Sequence, residues 1–281
     1  MRLGLDPKGG IVAETFRELE HQGWHAKAES YDALAGRITE LAAAPLLDAI
    51  GVNPGISLLD VASGPGYIAA AAAARGARVV GVDFAAGMVE TARRRYPTID
   101  FREGDAENLA FPNAAFDAVV CGFGLLHLAD PDRGVAEAWR VLKPGGRYAF
   151  TVWAGADRHE FFRIVLKAVQ DHGDVNVPLP PAPPTFRFAD ASECRRVLAD
   201  TGFADVSITD VPLTMRVNAP SDVLDFIYRT TVRTAMVLER QTAGARARIH
   251  EAIEQALAPI ARPDGYDIGW TAVLVAARKP D

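Results

Sequence analysis

Three acidic residues follow or close three apolar runs in the first half of the chain, and their spacing suits a ligand grip. Residues 56–61 run apolar around Asp60, residues 77–83 end in Asp83, and residues 99–107 carry Asp105 in a polar turn. Between the first two runs lies Ala62-Ser63-Gly64-Pro65-Gly66, followed by an alanine-rich stretch at 68–74. A strand, a glycine turn and a helix start together make a small-molecule site. Glycine removes the Cβ and lets a ligand approach the backbone, while free N–H groups at a helix start favour electron-rich groups. Asp83 falls 19 residues after Gly64, where an acid at the end of a second strand can accept bonds from both hydroxyls of a ribose. A carboxylate at Asp105, beside the amide of Ala106, matches the amino group and a ring nitrogen of an adenine.

Each feature also has a plainer reading. The glycine turn serves equally as a tight strand-to-helix connection, and Gly64, Gly66 and Ala69 satisfy the dinucleotide pattern G-x-G-x-x-A. Several nucleotide cofactors therefore stay open on the loop alone. Asp83 could cap a helix or sit on the surface. Three acids at three successive strand ends are nonetheless far more specific than one glycine loop. Tyr31 either closes over the ligand or fills core with its hydroxyl satisfied. Met88 and Val89 are placed to flank a flat ring, or simply to pack.

The elements that must position these residues alternate strand and helix. After the alanine-rich helix and the strand at 77–83 come a helix at 88–96, a short strand from 99, a buried strand at 116–122 and a helix from Asp130 to Leu142. Lys143-Pro144-Gly145-Gly146 ends that helix, and 147–153 is the fifth strand. The alternation implies an α/β, doubly wound, mostly parallel sheet with helices on both faces. Strands at 203–217 and 268–278 complete seven as an antiparallel pair. Upstream, residues 1–10 read as a mobile lead-in, 11–24 as a helix with apolar residues at 12, 16 and 19, and 28–50 as two helices broken near Pro45. Residues 157–172 and 191–201 form further helices, around a proline-rich crossover at 177–184. Residues 221–238 read as one unusually apolar helix and 245–257 as another. The divisions expected are a helical lid at 1–54, a ligand-binding core at 55–153, core completion and linker at 154–220, a helical cap at 221–260 and a final core strand at 261–281.

Composition narrows the class. The chain has 281 residues, 49% hydrophobic and 23% charged, as in an ordinary globular protein. A net charge of −6 leaves no basic footprint for nucleic acid. Two cysteines, Cys121 and Cys194, give neither a disulfide framework nor metal spacing, so no metal site is expected and a reducing, cytoplasmic compartment fits. No stretch approaches the roughly 18 uninterrupted apolar residues of a membrane span, and the first residues have no apolar core of a signal peptide.

Residues 59–66, 79–83, Gly104-Asp105-Ala106, 116–128 and 142–146 together resemble the signature regions of class I S-adenosylmethionine-dependent methyltransferases. The likeness covers about residues 30–153 and is nearest to the group of ubiquinone/menaquinone biosynthesis methyltransferases and other small-molecule enzymes. It implies a Rossmann-like methyltransferase fold with N-terminal helices and an inserted helical cap. One departure stands in the glycine loop, where Ala62 replaces the usual first glycine and Pro65 takes the variable slot. The resemblance implies S-adenosyl-L-methionine as cofactor. Ala62, Ser63, Gly64 and Gly66 would line its methionine part, with Asp60 near its amino group and Tyr31 closing from upstream. Asp83 would hold the ribose, Phe84 and Met88 would pack on the adenine, and Asp105 and Ala106 would bond its edge. Cys121, Gly122 and Phe123 would wall the sulfonium side.

Transfer of a sulfonium methyl is an in-line displacement, so placing both partners in a dry pocket supplies much of the acceleration. A base is needed only if the acceptor arrives protonated with a high pKa. His127, just beyond the fourth strand, is the candidate catalytic base, and its other reading is a histidine that orients the loop. His159, His172 and His250 read as solvated or capping. The cap suits a hydrophobic or aromatic small acceptor, with His127, Trp153, Tyr228, Arg229 and Arg233 as its contacts. A cap helix so apolar is alternatively buried by packing or by a second copy in a homodimer. The rival functions are a protein of the same fold that binds the cofactor for another reaction or a structural purpose, and a nicotinamide-dependent oxidoreductase. His127→Ala is expected to leave cofactor affinity intact while lowering turnover; unchanged turnover would remove the residue from the mechanism.

Overall fold

A computed structural model describes residues 15–281. The expected lead-in at 1–10 and the apolar position Val12 lie outside those residues. The sheet is built on β1 (Ser57–Val61), β2 (Arg78–Asp83), β3 (Asp100–Glu103), β4 (Phe116–Gly122) and β5 (Leu142–Trp153), completed by β6 (Ala204–Val217), β7 (Ala261–Arg262) and β8 (Gly265–Arg278). Their order is β3-β2-β1-β4-β5-β8-β6, with β7 paired to β8. The first five are mutually parallel, and β8 runs antiparallel to β5 and β6. The expected seven strands are present, and the two-residue β7 makes an eighth.

Burial is nearly continuous along β1 and β4 while successive side chains point to opposite faces, so both faces of the sheet are covered. Leu59, Val119, Cys121, Tyr148 and Phe150 enter one core. Leu58, Ala118, Val120 and Ala149 enter another on the opposite face. The first is closed by α6 (Pro131–Val141) and α8 (Ala191–Thr201), and the second by α3 (Ala43–Ala49) and α4 (Tyr67–Ala74). The strand order reverses between β1 and β4, which opens a crevice at their carboxyl ends. On the other flank of β1 lies β2, in register from Ser57↔Arg78 to Val61↔Val82.

The N-terminal helices differ from expectation. α1 (Phe16–Ala33) runs unbroken through Trp24, started by a capping box between Thr15 and Glu18. α2 (Gly36–Glu40) follows, and Pro45 lies in the first turn of α3, where its missing N–H breaks no bond. α5 (Ala86–Arg95) follows β2, and α7 (Glu160–His172) begins later than expected because His159 caps it.

The apolar stretch at 221–238 is two helices, α9 (Ser221–Thr230) and α10 (Arg233–Glu239), before α11 (Ala243–Ala256). The break has a local cause. The hydroxyls of Thr230 and Thr231 donate back to the carbonyls of Phe226 and Ile227, and the Thr231 hydroxyl accepts from the N–H of Ala235. Side chains thus compete with the helix ladder and start the next helix. Val223, Phe226, Ile227, Ala235 and Leu238 are buried within the chain's own fold, so the composition of this stretch needs no second copy to cover it.

Candidate functional site

The crevice at the carboxyl ends of β1, β2 and β4 is a cleft enclosing about 960 Å³ of space, part of it open solvent. Its floor is the turn after β1, where Ala62, Gly64 and Gly66 all take positive φ (54°, 51° and 88°). Asp83, at the end of β2, holds that turn. One carboxylate oxygen accepts from the Gly64 N–H at 2.8 Å and the other from the Ala85 N–H at 2.9 Å. Asp83 is 6% exposed, and burial pushes its carboxyl above the usual range while the two amides oppose that rise. A carboxylate has about four lone-pair sites, so two remain for a ligand.

Asp105 lies on the rim, accepting from the Glu107 N–H at 2.9 Å and from Arg17 at 2.7 Å. Arg17 also pairs with Glu107. The acid expected to meet an adenine edge is therefore already bound by a cation from α1, with capacity left on both oxygens. Phe84, Met88 and Ala106 give the cleft apolar walls, and Gly122 and Phe123 close its inner side. Tyr31 reaches in from α1 with its hydroxyl on Thr39 at 3.3 Å, and burial pushes that hydroxyl up to about 12.

Five expected residues stand elsewhere. Asp60 is fully buried behind the turn, where one oxygen accepts from the Ala69 N–H at 2.9 Å and the other has no partner. Burial pushes its carboxyl up to about 8. Gly66 caps α4 rather than facing the cleft, and a Cβ there would come within 2.6 Å of the Phe101 ring. Cys121 points into the core, since β-alternation sends it away from its neighbour Gly122. Tyr228 bonds His250 at 2.7 Å and Arg229 pairs with Asp225 at 2.9 Å. At about 100° per residue these two fall off the face that carries Phe226 and Thr230 inward. His250 is thus a partner of Tyr228, and His159, expected solvated or capping, caps α7 while 1% exposed, with burial lowering it to about 4.

A second cavity enclosing about 780 Å³ of space, part of it open solvent, adjoins the cleft and shares Trp24, Tyr31, Thr39, Phe123 and His127 with it. Trp153, Phe161, Phe162, Phe226 and Trp270 line it, with Arg233 as a polar wall. Phe123, at φ 57°, stacks on Trp153 with centroids 3.9 Å apart and forms part of the wall between the two spaces. The indole N–H of Trp270, a residue 3% exposed, has no partner. Sequence reasoning missed Arg17, Glu20 and Trp24, although 17, 20, 24 and 31 follow the spacing of one helical face.

The cleft suits an adenosine joined to an amino acid. A Cβ built on Gly64 would meet nothing within 4 Å, the buried hydroxyl of Ser63 lacks a partner, and two carboxylates face flat apolar walls. A family profile described as a methyltransferase domain matches residues 59–150. The demethylmenaquinone methyltransferase of Renibacterium salmoninarum is 34% identical over 171 residues, 58% of this chain and 72% of that protein. The enzyme of the same name from Clavibacter sepedonicus is 38% identical over 150 residues, 52% of this chain and 60% of its own. A solved [4+2]-cyclase, SpnF, shares the fold at 20% identity and a TM-score of 0.60, over 99% of both chains. The chain belongs to the class I S-adenosylmethionine-dependent methyltransferases, in the group that includes the menaquinone enzymes. It is a small-molecule methyltransferase whose cofactor is S-adenosyl-L-methionine.

Two predictions concern the turn. Ala62 bears a left-handed backbone that costs an L-residue roughly 1–2 kcal/mol, so Ala62→Gly should raise stability by about 1 kcal/mol in urea melts. Gly124→Ala would place a Cβ 2.5 Å from that of Ala62 and 2.7 Å from Cys121 Sγ, and should lose about 1–3 kcal/mol, partly restored by adding Ala62→Gly; full additivity would deny the contact. A third prediction concerns pH. A carboxyl raised on folding makes the folded state prefer the proton, so Asp60 loses stability for the fold as pH rises from about 4 to about 8. Melts of wild type against Asp60→Asn should therefore diverge over that window, by an amount on the order of a few kcal/mol, and parallel curves would show Asp60 charged throughout.

Proposed function

We propose that the second cavity receives an aromatic acceptor and that methyl transfer takes place where it meets the cleft, beside Phe123 and His127. The observation that carries this reading is the shared wall: one space suits the cofactor, the other is lined by aromatic rings, and Trp24, Tyr31, Thr39, Phe123 and His127 border both. Aromatic walls favour a flat ring by edge-to-face and offset contacts, each worth about 0.5–1.5 kcal/mol beyond the area buried. The unpartnered N–H of Trp270 favours an acceptor that carries an oxygen. Relatives named for demethylmenaquinone support a ring acceptor of quinol type.

Toward the cofactor, Asp83 would offer its remaining lone pairs to the ribose hydroxyls, Phe84 and Met88 would flank the purine, and Asp105 with Ala106 would meet its edge. Ser63 and Gly64 would face the amino-acid end. When bound, the cofactor supplies an electrophilic methyl group on a sulfonium. The chain's part is to dry and orient: Tyr31 and Trp24 cover the junction, and Phe123 holds the ring side. Among the described residues no helix is long and apolar enough to cross a membrane. Two free, buried thiols and a net charge of −6 support a cytoplasmic enzyme that works without nucleic acid.

The test supplies the cofactor with a naphthoquinol lacking its ring methyl, a simple phenol and an open-chain acid, and follows release of S-adenosylhomocysteine with product mass. Aromatic acceptors should gain one methyl, and Trp270→Phe should raise their KM by about 2- to 10-fold while leaving S-adenosylhomocysteine affinity unchanged. Turnover confined to the open-chain acid would overturn the aromatic reading. Conversion of an acceptor without added mass would favour a non-methylating reaction on this fold.

A further inference from the structure

Glu20, on α1, is a carboxylate 1% exposed in the wall of the aromatic cavity. Its Oε2 accepts from the indole N–H of Trp24 at 2.8 Å and lies 2.8 Å from Nδ1 of His127. The Trp24 and His127 rings meet edge to face, centroids 4.7 Å apart. Arg233 lines the same cavity and its positive charge acts on Glu20. It donates to the Pro180 carbonyl at 3.1 Å, and among the described residues it forms no ion pair. An ionised carboxylate can only accept, as Oε2 does from the Trp24 indole. Against such an acceptor, Nδ1 of His127 would carry the proton of the 2.8 Å contact and the lone pair would stay on Nε2. Free imidazole ordinarily holds its proton on the other nitrogen, so that tautomer would have to be imposed by Glu20.

We propose that Glu20 is a positioning residue that fixes His127 as the Nδ1–H tautomer, so that Nε2 takes the proton from a hydroxyl of an aromatic acceptor. The inference rests on the aromatic-acceptor reading above and narrows it to phenols and quinols. The acceptor's O–H bond breaks and its proton goes to Nε2. The freed electron pair, on oxygen or delocalised to an ortho ring carbon, forms the bond to the methyl carbon as the carbon–sulfur bond breaks, its pair passing to sulfur. Attack through carbon is completed by loss of that carbon's own proton. The imidazolium returns its proton to solvent, and no oxidant or reductant enters. His127 borders both cavities, which is where such a base must stand. The helix that carries Glu20 also carries Arg17, bound to Asp105 and Glu107 at the cofactor rim. Docking of one helix therefore completes the cofactor wall and the base together.

The first test needs no acceptor. Nitrogen-15 spectra of the histidine rings in wild type, with His127→Asn for assignment, should show His127 as the Nδ1–H tautomer, and Glu20→Gln should return it toward Nε2–H. A wild-type Nε2–H tautomer would overturn the proposal whatever the variants do. The second test reads kcat over phenols of falling pKa. Glu20→Gln should lower kcat about 100-fold for acceptors that ionise near 10, with KM within about twofold, and less than about threefold for nitrophenols already ionised at the assay pH. An equal loss for every acceptor would mark a merely structural carboxylate and overturn the role. If wild type turns over and Glu20→Gln matches it, only the dyad falls; if wild type releases no S-adenosylhomocysteine from any aromatic acceptor, the acceptor reading falls and the dyad with it.

Discussion

The cleft depends on one buried carboxylate that receives two backbone amides. The turn after β1 takes left-handed geometry at Ala62 and Gly64, and for a residue with a Cβ that costs roughly 1–2 kcal/mol. Hydrogen bonds to a charged group contribute about 1.5–3 kcal/mol each, so the amides of Gly64 and Ala85 on Asp83 outweigh the strain. The bonds form because Val61 pairs with Val82, which sets the end of β1 beside the end of β2. Burial works against the Asp83 charge. A carboxylate held this way is both the brace of the turn and an acceptor facing the ligand, and neither task can be removed without the other.

α1 supplies what the sheet lacks. A parallel sheet ends in loops that leave one side of its crevice open, and Arg17, Trp24 and Tyr31 close it from a single helical face. The same helix gives Glu20 to the adjoining aromatic space. Arg17 is half-exposed where it meets Asp105, so that pair adds little energy of its own. Its geometric effect is larger, because it fixes the helix against the rim where the acids lie.

The sheet and its ligand edge were legible because glycine, apolar runs and terminal acids are local signals. Asp83, Asp105, Ser63 and Gly64 line one cleft, and each could be placed there because it sits at or just past a strand end. Asp60 and Cys121 were misread because strand position gives the edge a residue is near and not the side to which it points. Tyr228 and Arg229 failed for a related reason: a helix apolar on most sides hides its inner face, and the threonine pair that splits it acts through bonds to its own backbone. The contacts of α1 were out of reach altogether. Arg17 meets Asp105 across 88 residues and Glu20 meets His127 across 107, and no local pattern marks such pairs.

Phe123 stands between two chambers in a backbone conformation that few residues with side chains adopt, held flat against Trp153. A partition touched from both sides is a thermodynamic link. If one occupant, by tilting the ring, changes the affinity for the other by some factor, the second changes the affinity for the first by that same factor, whichever enters first. An acceptor held in the second chamber would then bind with an affinity conditional on what already fills the neighbouring room.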